Sequence, residues 1–264
     1  MKCKQVRIHV AFICLVLVAG GFVHAGEFRI GAHGGINMPN IRGEAGDPFT
    51  EGFESRQGAF YGIFVDLGVM PHFSLAAELN YSSQGGVREG LQIITSTLLP
   101  QELPLPPGMA LYAGYRNESI LDYIEIPLLG KLTFGKKIRF FVNAGPYIGF
   151  LIRARALTRG NSFLYLDKNG TMPIVIPPST QPLEIEMTAD TDIKDSLKDT
   201  NFGLTGGGGF SIPVGPGTVI GEGRFQWGLT VIQRDIQQSG KSRTGGFVIS
   251  IGYSLSLAKP EKPR

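Results

Sequence analysis

Cysteine is scarce in this chain of 264 residues: the only two, Cys3 and Cys14, lie in one N-terminal segment. That segment begins with Lys2, Lys4 and Arg7, runs apolar from Ile8 to Val23, and reaches the small-residue pattern Val23-His24-Ala25. It reads as a secretory signal peptide over residues 1–25, because the apolar run is short for a spanning helix and ends in a cleavable site. Lipidation at Cys14 is not expected, since Ile13 stands where a lipobox needs a small residue. Removing the segment leaves 239 residues without a thiol, which excludes disulfides, thiolate zinc sites and a cysteine nucleophile. It also takes away three of the 25 basic residues, so 22 remain against 22 acidic ones. With no basic excess left, nucleic acid is not an expected partner.

Histidine is equally sparse. The mature chain keeps His33 and His72, and His72 falls in a predicted turn. A His-centred triad would have to use His33 with serine and carboxylate partners that the sequence does not single out, so catalysis is not expected. No cofactor site stands out. After the signal no apolar run approaches the ~20 residues of a membrane helix.

What the chain does have is 37 Gly, 17 Phe and 8 Tyr in short alternating segments, which suits a β-barrel better than a helical globule. The clearest is Asp122–Phe134. Extended, it puts Ile124, Ile126, Leu128, Leu132 and Phe134 on one face and Glu125, Lys131 and Thr133 on the other. Pro127 predicts a bulge or local irregularity there. The same period runs through residues 27–37, 60–69, 73–82, 138–153, 201–213, 219–232 and 246–255, with a bulge expected at Gly145-Pro146, Arg153 inward, and a bend at Gly206–Gly209. Residues 38–58, 83–121 and 155–200 read as long loops, 70–72, 135–137 and 214–217 as tight turns, and 233–242 as a polar loop.

Eight strands whose connections alternate long and short predict an all-β fold: an antiparallel up-and-down transmembrane barrel with long extracellular loops, short periplasmic turns and both termini in the periplasm. The expected division is 1–25 signal peptide, 26–255 barrel and 256–264 polar tail. Its expected site is the outer membrane of a Gram-negative cell, with membrane lipid and the barrel assembly machinery as partners and surface proteins met through the long loops. The inward face collects Arg29, His33, Asp66, Glu78, Glu125, Lys131, Arg139, Glu222 and Arg224. Four acidic residues against four permanent cations in a narrow eight-strand lumen favour mutual pairing over an ion path. Asp167-Lys168-Asn169-Gly170 lacks the ligand spacing of a calcium loop and reads as a turn.

The stretch Tyr-Ile-Glu-Ile-Pro-Leu-Leu-Gly-Lys, residues 123–131, resembles the PorT-like group of outer-membrane β-barrel domains, as does Gly221–Thr230 more weakly. The resemblance implies a non-enzymatic outer-membrane role, linked in some relatives to protein secretion, with no catalytic residues to transfer; it alone adds secretion proteins to the expected partners of the long loops. One departure is the polar tail Ser256–Arg264, where many such barrels end on an aromatic. A soluble periplasmic ligand-binding barrel is the alternative fold, and would need the opposite facing: apolar inside, polar outside. An outer-membrane barrel enzyme is the less favoured third reading.

Overall fold

The computed structural model describes residues 27–43, 52–94, 111–159, 161–176, 178–186 and 188–257. The predicted signal peptide, residues 95–110 of the predicted loop 83–121 and the end of the tail lie outside them.

Twelve strands form in chain order: β1 Phe28–Gly43, β2 Phe53–Glu54, β3 Gly58–Met70, β4 Phe73–Ile94, β5 Leu111–Gly135, β6 Arg139–Arg159, β7 Asn161–Tyr165, β8 Glu184–Glu186, β9 Ala189–Asp192, β10 Thr200–Val214, β11 Gly217–Gly228 and β12 Ser242–Ser256. Eight of them close a ring, β1-β3-β4-β5-β6-β10-β11-β12, with β12 returning antiparallel to β1. Closure leaves the ring itself without a free edge, which hydrocarbon requires because it offers no solvent to an unpaired N–H or C=O. Followed across the rungs, Thr133 leads through Phe141, Gly209, Glu222, Ser250, Gly35, Phe60 and Ser82 back to Tyr123, ten residues along the same strand. That stagger tilts the strands, as closure of a barrel demands.

Which way each side chain points follows from parity. Leu75, Leu79, Leu128, Val142, Leu204, Phe225, Trp227 and Ile249 stand exposed on the outside, with Ile251 at 67 % exposure. Asp66, Glu78, Glu125, Lys131 and Arg224 are buried inside. Apolar outside and charged inside is the arrangement lipid requires and the reverse of a soluble ligand-binding barrel. A one-residue slip of β5 would carry Glu125 and Lys131 into hydrocarbon, so these two charges hold its register.

Several local expectations are corrected. Residues 83–121 are not one long loop: β4 continues to Ile94 and β5 begins at Leu111, paired from Ser83↔Asp122 to Ile94↔Leu111. Likewise β1 runs on to Gly43, and β11 stops at Gly228. Neither Pro127 nor Gly145-Pro146 makes a bulge; at Pro127 the ladder shows the expected local irregularity instead, as lost rungs. The β4–β5 rungs skip from Ala77↔Leu128 to Asn80↔Glu125, and the β5–β6 rungs from Pro127↔Tyr147 to Gly130↔Ala144, with register kept on both sides. A proline removes a ladder donor without adding a residue, so the ladder loses rungs and parity survives. The shift falls instead at Asp122/Tyr123, which face Arg153 and Leu151, leaving Ile152 as the extra residue. Parity on β6 therefore flips, Arg153 points outward with 55 % of its side chain exposed, and Ala154 is buried. At Gly206–Gly209 both ladders stay in register, and the glycines serve close approach: a Cβ on Gly207 would lie 2.2 Å from Gly223 O.

Candidate functional site

Among the described residues the lumen is where ionisable groups from many strands converge, and it is layered. Its centre is Arg224 on β11, 2 % exposed. Its Nη1 and Nη2 donate to the two oxygens of Glu78 on β4 at 2.7 and 2.8 Å, and Nη2 donates to Glu222 at 2.9 Å. Asn143 Nδ2 donates to Glu222 at 2.7 Å and Asn80 Nδ2 to Glu78 at 2.8 Å. Since Asn80 presents its oxygen to His33 Nε2 at 2.8 Å, His33 donates there, its ring between Phe60 and Phe64. That environment holds no serine–carboxylate pair on the imidazole. Nearer the short-turn end Lys131 Nζ donates to Asp66 at 3.1 Å and lies over the Phe141 ring.

Glu125, 0 % exposed, makes no ion pair among the described residues. Its carboxylate accepts from Gln84 and, at 2.7 Å, from Gln226 Nε2, both neutral amides. Arg29 pairs with Glu27 rather than with a lumen carboxylate, and Arg139 makes no ion pair among the described residues. Both border an open cavity of about 520 Å³ at the short-turn end, together with Glu27, His72, Ser74 and Thr133. The centre leaves only about 20 Å³ free. So the nine inward residues do not form one continuous paired set: three ion-paired clusters fill the middle and mouth, while Glu125 rests on amides and Arg139 on open space.

At the other end stands an apolar seal that periodicity reveals only in part. Leu197 and Ile232, from the two connections flanking β10 and β11, pack onto Leu121, Tyr123, Leu151 and Ala154, with Ile193 against them. Lys198 N donates to Ile232 O at 2.8 Å, and Arg234 Nε to Leu197 O at 2.5 Å, which ties the two connections together. The neutral lumen residues Asn37, Ser82, Gln84, Asn201 and Thr244 are also buried, legible in principle by extending the inward parity past the charged positions. Among the described residues no group of three His, Cys, Asp or Glu is placed to hold a metal. Asp167 uses its carboxylate on the N–H groups of Asn169, Thr171 and Met172, closing a turn in which Gly170 takes φ +70°.

Beyond the seal β4 and β5 continue as a ribbon. Leu111, Ala113, Leu164 and Ile185 form a second apolar cluster there, joining the β5 extension to β7 and β8, with Tyr115, Ile174 and Leu183 around it.

No curated protein matches the chain. Among solved structures it is similar to Neisserial surface protein A (10 % identity, 89 % of this chain and 100 % of that one, TM-score 0.41). It is also similar to Ail, the attachment invasion locus protein of Yersinia pestis (7 % identity, 88 % and 100 %, TM-score 0.33). A third is the N-terminal β-barrel domain of Pseudomonas aeruginosa OprF (10 % identity, 87 % and 99 %, TM-score 0.34). The profile of the outer membrane protein β-barrel domain matches residues 21–234, most of the chain. A closed eight-strand ring, apolar to the outside and charged within, is what that match calls for, and the chain belongs to the outer membrane protein β-barrel domain family.

Proposed function

We propose that the protein is a non-enzymatic surface-interaction protein, in which a filled barrel anchors a protruding lobe and does not serve as a channel. The observation that carries this is length. Crossing the hydrocarbon takes ~9–11 tilted strand residues, whereas β4 has 22 and β5 has 25, and the excess carries its own apolar cluster with β7 and β8. A lobe with a core of its own presents a fixed surface, and the plugged lumen beneath it offers no path for solute. In this reading the mature chain starts after Ala25, residues 26–255 make the barrel domain, both termini face the periplasm, and the long connections face outward. The barrel assembly machinery inserts it.

Protease treatment of intact cells tests the placement: cleavage within the lobe is expected from outside, and full protection would overturn it. Replacing residues 89–116 with a short turn should leave a folded barrel and abolish binding of cells to surface partners; unchanged binding would remove the lobe's role. The likeness of residues 123–131 to PorT-like domains favours a second reading, a secretion-associated role. A secreted proteome unchanged by deleting the gene would end it.

A further inference from the structure

On the outside of the barrel, at the long-loop edge of the apolar band, two arginines face each other across a rung. Arg42 on β1 and Arg243 on β12 are register partners, with parities that place both on the outer face. Like charges directly opposite on one sheet face repel. Neither makes an ion pair with a carboxylate among the described residues. The contrast with the arginines of β6 is sharp: outward Arg153 is neutralised by Asp122 at 2.6 Å, and Arg155 by Asp190.

The pair is held in place. The Arg42 guanidinium crosses Gly245 of β12 to lie 3.6 Å over the ring of Trp227 on β11, and donates to Gly228 O at 3.0 Å and Thr244 O at 3.1 Å. Any side chain at Gly245 would collide with it, since a Cβ there would sit 2.9 Å from Arg42 Nε. That Nε is buried and has no hydrogen-bond partner among the described residues. Arg243 Nε donates to Leu229 O at 3.1 Å, leaving its terminal nitrogens. Directly below stand Trp227, Phe225 and Phe247, exposed on the lipid side.

We propose that Arg42 and Arg243 clamp the phosphomonoester headgroup of a membrane lipid in the leaflet at the long-loop end. A phosphate between the two guanidiniums removes their repulsion and accepts charge-assisted, bidentate bonds. The aromatic wall beneath takes the acyl chains, and that continuity with the apolar band selects a lipid over a free anion. Headgroup-level anions attract basic side chains in this position generally; here two are fixed by stacking and carbonyl contacts before the lipid arrives.

Trp227 is the only tryptophan, so its emission reports the site directly. The full chain, folded in maltoside micelles, is titrated with short-chain phosphatidic acid, with phosphatidylcholine of the same chains, and with inorganic phosphate. Expected is a saturable change with phosphatidic acid alone, and a midpoint raised about tenfold or more in Arg243→Gln, the loss of one charged hydrogen-bonding partner. Arg153→Gln should titrate like the parent chain. Equal responses to phosphatidylcholine, or to inorganic phosphate at the same concentrations, would overturn the assignment without need of any variant. So would an Arg243→Gln curve that overlays the parent, or an Arg153→Gln curve displaced as far, which would reduce the effect to general surface charge.

Discussion

Removing Arg224 should be among the most damaging single changes in the barrel, and the structure says why. Its guanidinium is 2 % exposed and answers two carboxylates, Glu78 and Glu222, that are themselves shielded from solvent. Arg224→Met takes away the cation and leaves two buried acidic groups facing each other across the lumen. Breaking a buried pair from one side typically costs ~3–5 kcal/mol, two decades or more in the folding equilibrium at about 1.4 kcal/mol per tenfold. Urea titration of the chain in lipid vesicles, followed by heat-modifiable migration on a gel, measures it. Because the loss comes from uncompensated charge rather than from missing attraction, the triple variant Glu78→Met/Glu222→Met/Arg224→Met should recover most of the stability. A single variant within ~1 kcal/mol of the parent, the scale of an exposed pair, would mean that the lumen is wet at this level. A triple variant as unstable as the single one would refute the charge account.

Leu128→Arg puts a cation on the lipid face and should cost ~2–4 kcal/mol or prevent insertion, while Lys131→Gln should be milder; cysteine at 125 labelled from the lipid phase in preference to 128 would contradict the facing. In planar bilayers the parent chain should give no steady conductance, because Leu197 and Ile232 close the long-loop end; a stable open current would refute the seal. Gly35→Val should lose the heat-modifiable form, since a Cβ there would lie 1.9 Å from Ile249 O across the β1–β12 closure, beyond the ~1–3 kcal/mol of ordinary overpacking. Leu164→Ala, in the protruding cluster, should speed proteolysis of the lobe and leave barrel migration unchanged, because local cores open independently of the rest; equal loss in both would mean that the lobe and barrel unfold together.

The eight ring strands were legible because lipid imposes a rule at every second residue. Where the lipid ends, the rule ends, and so Val87–Ile94 and Leu111–Leu121 carry no clean alternation although they are strands. Pro127 left a bulge or a lesser irregularity open and Pro146 looked like a bulge, because a proline marks a missing donor and nothing local tells a missing rung from an added residue. The added residue, Ile152, has no such marker, so the outward turn of Arg153 was hidden. The inward charges could be collected by parity, but pairing needs the third dimension: Glu125 meets Gln84 and Gln226, not an arginine, because the rungs bring those amides to its height. Leu197 sits in a connection with no period at all, Ile232 was read as the last residue of a strand that in fact stops at Gly228, and Arg42 opposite Arg243 exists only once the first and last strands meet.

That meeting has a consequence in time. β1 and β12 share fifteen rungs, from Arg29↔Ser256 to Gly43↔Ser242, and they are the first and last strands of the ring to be made. Until the final segment has been synthesised and exported, the opening strand holds a long row of unsatisfied donors and acceptors that any other chain's edge could take. Contacts this distant in sequence form slowly, and an open sheet cannot wait in hydrocarbon. The chain therefore has to be kept apart from its neighbours for the whole interval, and a truncation removing β12 alone should leave a sticky half-product rather than a smaller barrel.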